Sequence, residues 1–192
     1  MNERSLRIIL FVVVAAVQLA VAGGAIIRSE LALRSGEVFR FRIQPVDPVD
    51  AFRGRYVAIR FALDRTPVAD GLEVERQQWV FVPLLVDGDG LAAFGPAALD
   101  PPASGAYLRL RSGGIYPDED GQPSVWVTMP FNRYYMDEDL APEAERAVWS
   151  RQRGQREAFV TVRVRNGVGV LEDLFIGDVP IHRWLAENAS EK

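Results

Sequence analysis

Residues 45–61 read PVDPVDAFRGRYVAIRF, a proline- and aspartate-rich turn joined to an alternating segment. Pro45 and Pro48 fix their own φ angles and push the residues before them toward extended backbone. Asp47 and Asp50 can accept hydrogen bonds from nearby backbone N–H groups and close local turns. Gly54 suits a backbone geometry that a side chain would obstruct. From Tyr56 the pattern alternates: Val57, Ile59 and Phe61 share one strand face, and Tyr56, Ala58 and Arg60 share the other.

These residues resemble the signature of the GDYXXLXY family of uncharacterised bacterial membrane-anchored proteins. That signature has an Asp-Pro-x-Asp-x-x-Arg-Gly lead-in before Gly-Asp-Tyr-x-x-Leu-x-Tyr. Asp47, Pro48, Asp50, Arg53, Gly54 and Tyr56 match it. Arg55 stands where the family has its acid, Ile59 replaces leucine and Phe61 replaces the last tyrosine; Ile59 and Phe61 keep size and β preference. A later block, PFNRYYMDEDLAPEAE at 130–145, carries the resemblance onward and includes Tyr135 and Glu138. The resemblance implies an envelope location, an anchored architecture and a structural or partner-binding role for the motif residues. It implies no reaction.

The anchor is residues 8–27, IILFVVVAAVQLAVAGGAII, with Gln18 as its only strongly polar residue. About 20 residues at about 1.5 Å rise span about 30 Å, the hydrocarbon thickness of a bilayer. The competing reading is a signal peptide, with Arg4 and Arg7 as its basic region and Ala20-Val21-Ala22 as a small-residue cleavage pattern. Against cleavage, the apolar run continues through Gly23 to Ile27. Counting arginines alone would place the C-terminal side in the cytoplasm, because Arg28, Arg34, Arg40 and Arg42 follow the span. Long domains translocate largely regardless of charge, so the short N-terminal tail and the resemblance place the domain in the periplasm, outside a bacterial inner membrane. Ala16, Ala20 and Gly24 recur every four residues, which reflects either the abundance of alanine in this chain or a face on which a partner helix can pack closely.

The expected organisation is a cytoplasmic tail at 1–7, the span at 8–27, a linker at 28–36, a β-rich domain at 37–181 and a tail at 182–192. The fold class is α+β, mainly β, built of antiparallel hairpins with one short helix. Strands are expected at 38–43, 56–61, 78–86, 91–94, 106–111, 125–131, 157–165 and 168–175, with an acidic loop at 112–124. Asn166-Gly167 is a strong hairpin signal. Pro142 at a first helical position and Glu143 and Glu145 in the first turn predict a helix over 142–153, stopped by Gly154. The tail from His182 reads as a frayed helical turn. Residues 80–91 and 159–170 echo each other around Asp-Gly-x-Gly and Asn-Gly-x-Gly turns, and the pairs Arg55-Tyr56 and Arg133-Tyr134 precede them. Two similar halves on one core, or independent reuse of hairpin grammar, explain the echo equally well.

Composition removes whole chemistries. There are no cysteines, the only lysine is Lys192 and the only histidine is His182. Disulfides, thiolate metal sites, a serine–lysine dyad, a Schiff-base lysine and a two-histidine metal site are therefore excluded. A Gly-x-Tyr-Val segment in an anchored β protein also resembles signal-peptidase-like folds, but their lysine base has no counterpart here. Net charge is −4, too mild for a nucleic-acid surface. The acidic groups Asp87/Asp89, Asp118/Glu119/Asp120 and Asp137/Glu138/Asp139 lack calcium-loop spacing and sit at turns. No metal and no cofactor is expected. The arginines Arg53, Arg55, Arg60, Arg109, Arg111 and Arg133 can fork onto carboxylates or phosphates; Arg53 is read first as a clamp on Asp47 or Asp50. The functional expectation is a non-enzymatic binding or scaffold role beside an integral membrane partner. The alternative is a carboxylate-dependent envelope hydrolase using the 134–145 region.

Overall fold

The computed structural model describes residues 3–44, 56–69, 71–118, 120–149 and 157–189. Asp47, Pro48, Asp50, Arg53 and Gly54 of the signature, and the expected helix end at 150–153, lie outside the described residues. A long apolar helix precedes a β-rich region of antiparallel sheets.

Helix α1 spans Glu3–Ser35. The apolar window within it is 0% buried, and it is the one described helix long and apolar enough to cross a membrane. Its helical state outlasts its hydrophobicity. Residues 28–35, expected as a linker, stay helical because no breaker occurs before Gly36. Arg34 Nε donates to Glu30 Oε1 at 2.7 Å across one turn, and Gly36 N closes onto Ala32 O at 2.8 Å. Ala32 is the only buried side chain of the helix. A Cβ on Gly36 would lie 3.0 Å from the Val164 backbone, so the exit from α1 needs glycine there.

One sheet has the order β12-β11-β10-β1-β3, with β1 Glu37–Gln44, β3 Arg60–Phe61, β10 Ala158–Arg165, β11 Val168–Ile176 and β12 Val179–Pro180. The other has the order β4-β8-β7-β5-β6, with β4 Arg65–Pro67, β5 Trp79–Val86, β6 Ala92–Phe94, β7 Tyr107–Pro117 and β8 Pro123–Thr128. Each contains a hairpin (β10–β11 or β5–β6) laid against a strand from the other half of the chain (β1 or β7). The sheets meet at the Asn166-Gly167 turn, where Arg109 N donates to Gly167 O at 3.0 Å. Asn166 and Gly167 have φ of 48° and 79°, the left-handed pair that a two-residue hairpin turn requires.

A single core fills the space between the sheets. Phe39, Phe41 and Ile43 of β1 point into it with Val80, Val82, Leu108 and Leu110 of the opposing sheet. Phe41 stacks edge-on to Phe61, with ring centroids 5.6 Å apart.

Several elements of the body differ from the sequence reading. The alternating segment 56–61 is two short strands. Tyr56–Ala58 (β2) pairs with Arg133–Tyr135 (β9), whereas Arg60–Phe61 crosses to pair with β1. Most of the expected acidic loop is strand, because Gly113 inserts as a bulge in β7, which continues to Pro117 and pairs there with Pro123. The C-terminal tail is a nine-residue helix, α3 Ile181–Ala189, fixed by Ile181 (0% exposed) and Leu185 (2%) one turn apart on its inner face. The expected short helix is present as α2, Ala141–Trp149, and buries Ala144, Ala147 and Val148. Among the described residues the body thus has two short helices where one was expected.

Candidate functional site

The signature strand and the later block come together in the β2–β9 pair. Tyr56 faces Tyr135, Val57 faces Tyr134 and Ala58 faces Arg133. The pair has two distinct sides. Outward, the Tyr56 and Tyr135 rings meet at 5.9 Å and the Arg133 guanidinium lies 4.8 Å over Tyr56. Inward, Val57 and Tyr134 join the core. Tyr135 is 68% exposed. Glu138 sits exposed in the turn that leads into α2, away from the core-facing tyrosine.

Behind Tyr134 is a polar cluster that the sequence reading did not assemble. Its phenol donates to Asp173 Oδ1 at 3.0 Å and lies 3.2 Å from His182 Nε2. The phenol has one proton, so with that proton on Asp173 the imidazole Nε2 is the donor toward the phenol oxygen. Three elements converge here. Strand β9 supplies Tyr134, β11 supplies Asp173 and the first turn of α3 supplies His182. A bulge in β11 sets the carboxylate. Leu171 and Leu174, three residues apart, oppose Val162 and Val160, so one residue is extra and Asp173 opposes Thr161. Asp173 Oδ1 also accepts from Leu174 N at 2.8 Å. Burial, followed by the hydrogen bond and negative charge of Asp173, holds the Tyr134 phenol well above the ordinary range. The group ties α3 to the sheets; its hydroxyl is protonated and engaged, unlike a poised base.

Ile59 and Phe61 line a groove of about 590 Å³ with Arg60, Asp64, Thr128 and Asn132 at its rim. Two backbone ties join residues of its lining, Ile59 N to Asn132 O at 2.9 Å and Val127 N to Asp64 O at 2.9 Å. Glu138 does not line it, so the groove does not join that carboxylate to a second one.

The acidic groups build turns. Asp87 Oδ1 accepts from Asp89 N at 2.9 Å and Leu91 N at 2.8 Å; Asp118 Oδ1 accepts from Asp120 N at 3.0 Å and Gln122 N at 2.7 Å. Among the described residues no group of three His, Asp or Glu side chains could hold a metal ion. Ala16, Ala20 and Gly24 lie on α1, with nothing within 4 Å of a Cβ built on Gly24.

A family model described as GDYXXLXY protein matches residues 18–174, which include the end of α1, both signature blocks and most of the sheets. No curated protein and no solved structure matches the chain.

Proposed function

The chain belongs to the GDYXXLXY protein family, and from that premise we propose a membrane-anchored β-domain protein with a non-enzymatic binding or scaffold role beside an integral membrane partner. The anchor is retained, and the domain lies on the periplasmic side of a bacterial inner membrane. One observation carries this reading. The β domain closes its own core, while side chains such as Phe11 (73% exposed), Leu19 (74%) and Ile26 (68%) find no protein to cover them. A helix apolar all round needs hydrocarbon or another helix. The small face at Ala16, Ala20 and Gly24 supports a helix partner. The carboxylate-hydrolase alternative draws no support from Glu138, exposed in a turn.

Crosslinking in intact membranes, followed by mass spectrometry, tests the reading. One specific membrane protein should be recovered, and Ala20→Leu/Gly24→Leu should reduce its yield. Recovery of no specific protein, or turnover of a substrate by the purified chain, overturns it.

A further inference from the structure

The two sheets treat their arginines differently. In the sheet containing β1, Arg40 meets Asp178 at 2.8 Å, Arg42 meets Glu157 at 3.1 Å and Arg163 meets Glu172 at 2.7 Å. Those charges are offset within the domain. The strands β4, β8, β7, β5 and β6 contain Arg65, Arg109 and Arg111 and no acidic residue. Their arginines rest on aromatic rings, as Arg40 of the other sheet also does, 4.2 Å over Phe159; what differs is the lack of acids. Arg111 lies 3.9 Å and Arg109 4.4 Å from the Trp79 ring centre, and Arg65 lies 4.7 Å from that of Trp126. A guanidinium stacked by its face keeps its N–H edges for an acceptor; Arg111 already donates from Nη1 to the Gln77 carbonyl and offers its remaining N–H groups. Trp79 and Trp126 remain 38% and 37% exposed. Arg65 and Arg76 also wall a recess of about 540 Å³ over Gly113, beside Tyr116 and Trp126. Asp64 stands 3.9 Å from Arg65, and among the described residues no acid forms an ion pair with Arg76, Arg109 or Arg111.

We propose that this arginine–aromatic face is where the partner docks, through an acidic extramembrane polypeptide segment. The inference rests on the anchored, partner-binding reading above. Arginine, tryptophan and tyrosine in this mixture are the residues that dominate protein interfaces. The orientation of the face favours a polypeptide over the bilayer. Val164 packs on Gly36 at the exit of α1, and Gly167, at the turn beyond it, contacts Leu108 and Arg109. Strand β7 therefore starts at the end where the anchor enters. It runs about 30 Å away to Tyr116. A flat bilayer at that end could reach Arg109 but not Arg65 or Arg76, whereas an upright protein surface reaches all four.

The test uses the full chain in neutral phosphatidylcholine nanodiscs, titrated with a fluorescent glutamate-rich peptide with interspersed tyrosines. Binding should weaken with salt and fall at least tenfold in Arg109→Glu/Arg111→Glu. Arg109→Gln/Arg111→Gln should give an intermediate loss, and Arg183→Glu on α3 should give none. Matching melting temperatures establish that the variants fold. Indifference of peptide binding to both double substitutions overturns the proposal. So does stronger binding to phosphatidylglycerol vesicles or polyphosphate than to the peptide, lost in the same variants. If the charge-reversed chain stays in the membrane and still crosslinks its partner, the anchor reading stands and only this face is ruled out.

Discussion

The phenol of Tyr134 donates to Asp173 Oδ1 at 3.0 Å, joining a three-residue strand to the residue that follows the β11 bulge, 39 positions later. Removing the hydroxyl leaves the carboxylate with Leu174 N and breaks the link to His182. Tyr134→Phe should cost about 0.5–1.5 kcal/mol, read as a lower melting temperature.

Burial of the phenol, reinforced by this bond, sets a pH dependence. The folded phenol holds its proton to higher pH than the unfolded one. Its contribution is whole below the unfolded value of about 10 and is lost as pH rises through the folded value, at up to about 1.4 kcal/mol per pH unit. Wild-type stability should therefore fall more steeply above that pH than the stability of Tyr134→Phe, in melts across the alkaline range. Parallel curves would mean that folding does not raise the Tyr134 phenol.

Much of the sheet framework is legible along the chain, and the reason is local. Strands β1 and β10 alternate over eight residues, and Asn166-Gly167 marks its own turn. Strand β9 is three residues long, too short to show a period, and exists because Tyr56–Ala58 pairs with it. The Gly113-Gly114 step looks like a loop, yet it is a bulge within β7. Helix α3 carried a usable signal in Ile181, Trp184 and Leu185 at helical spacing. The Tyr134–Asp173–His182 cluster carried none, because pairing across 39 and 48 residues brings it together. Hydropathy marked where α1 ceases to be apolar, and Gly36 decides where it ceases to be a helix.

At the junction of the sheets, Gly167 has φ of 79°, and a Cβ there would lie 2.9 Å from Tyr107 Cε2 and 3.1 Å from Arg109 Cβ. Gly167→Ala should destabilise by about 1–3 kcal/mol from backbone strain alone, with more from the clash. Asn166→Gly should change stability far less. Chemical denaturation of the two variants side by side checks the contrast.

Phe61 is 6% exposed and meets Phe41 and Phe131 edge-on, at 5.6 and 5.4 Å. Phe61→Ala should cost about 3–5 kcal/mol and open the groove beside it. A loss under about 1 kcal/mol would mean that this signature position is not holding the sheets together.

Because Asp87 and Asp118 each spend Oδ1 on two turn N–H groups and no group of three acids that could hold a metal occurs among the described residues, millimolar calcium should leave the melting temperature unchanged. Asp87→Ala should lower stability by about 1 kcal/mol whether or not calcium is present. A calcium-dependent rise in melting temperature that Asp87→Ala abolishes would assign that loop a ligand.

The whole account depends on a hydrocarbon-embedded first helix that stays joined to the β domain. Alkaline carbonate extraction of membranes, with N-terminal mass mapping of the recovered chain, measures that directly. The prediction is an intact chain in the pellet, with residues 8–27 still attached. A soluble chain beginning just after Ala22 would contradict it.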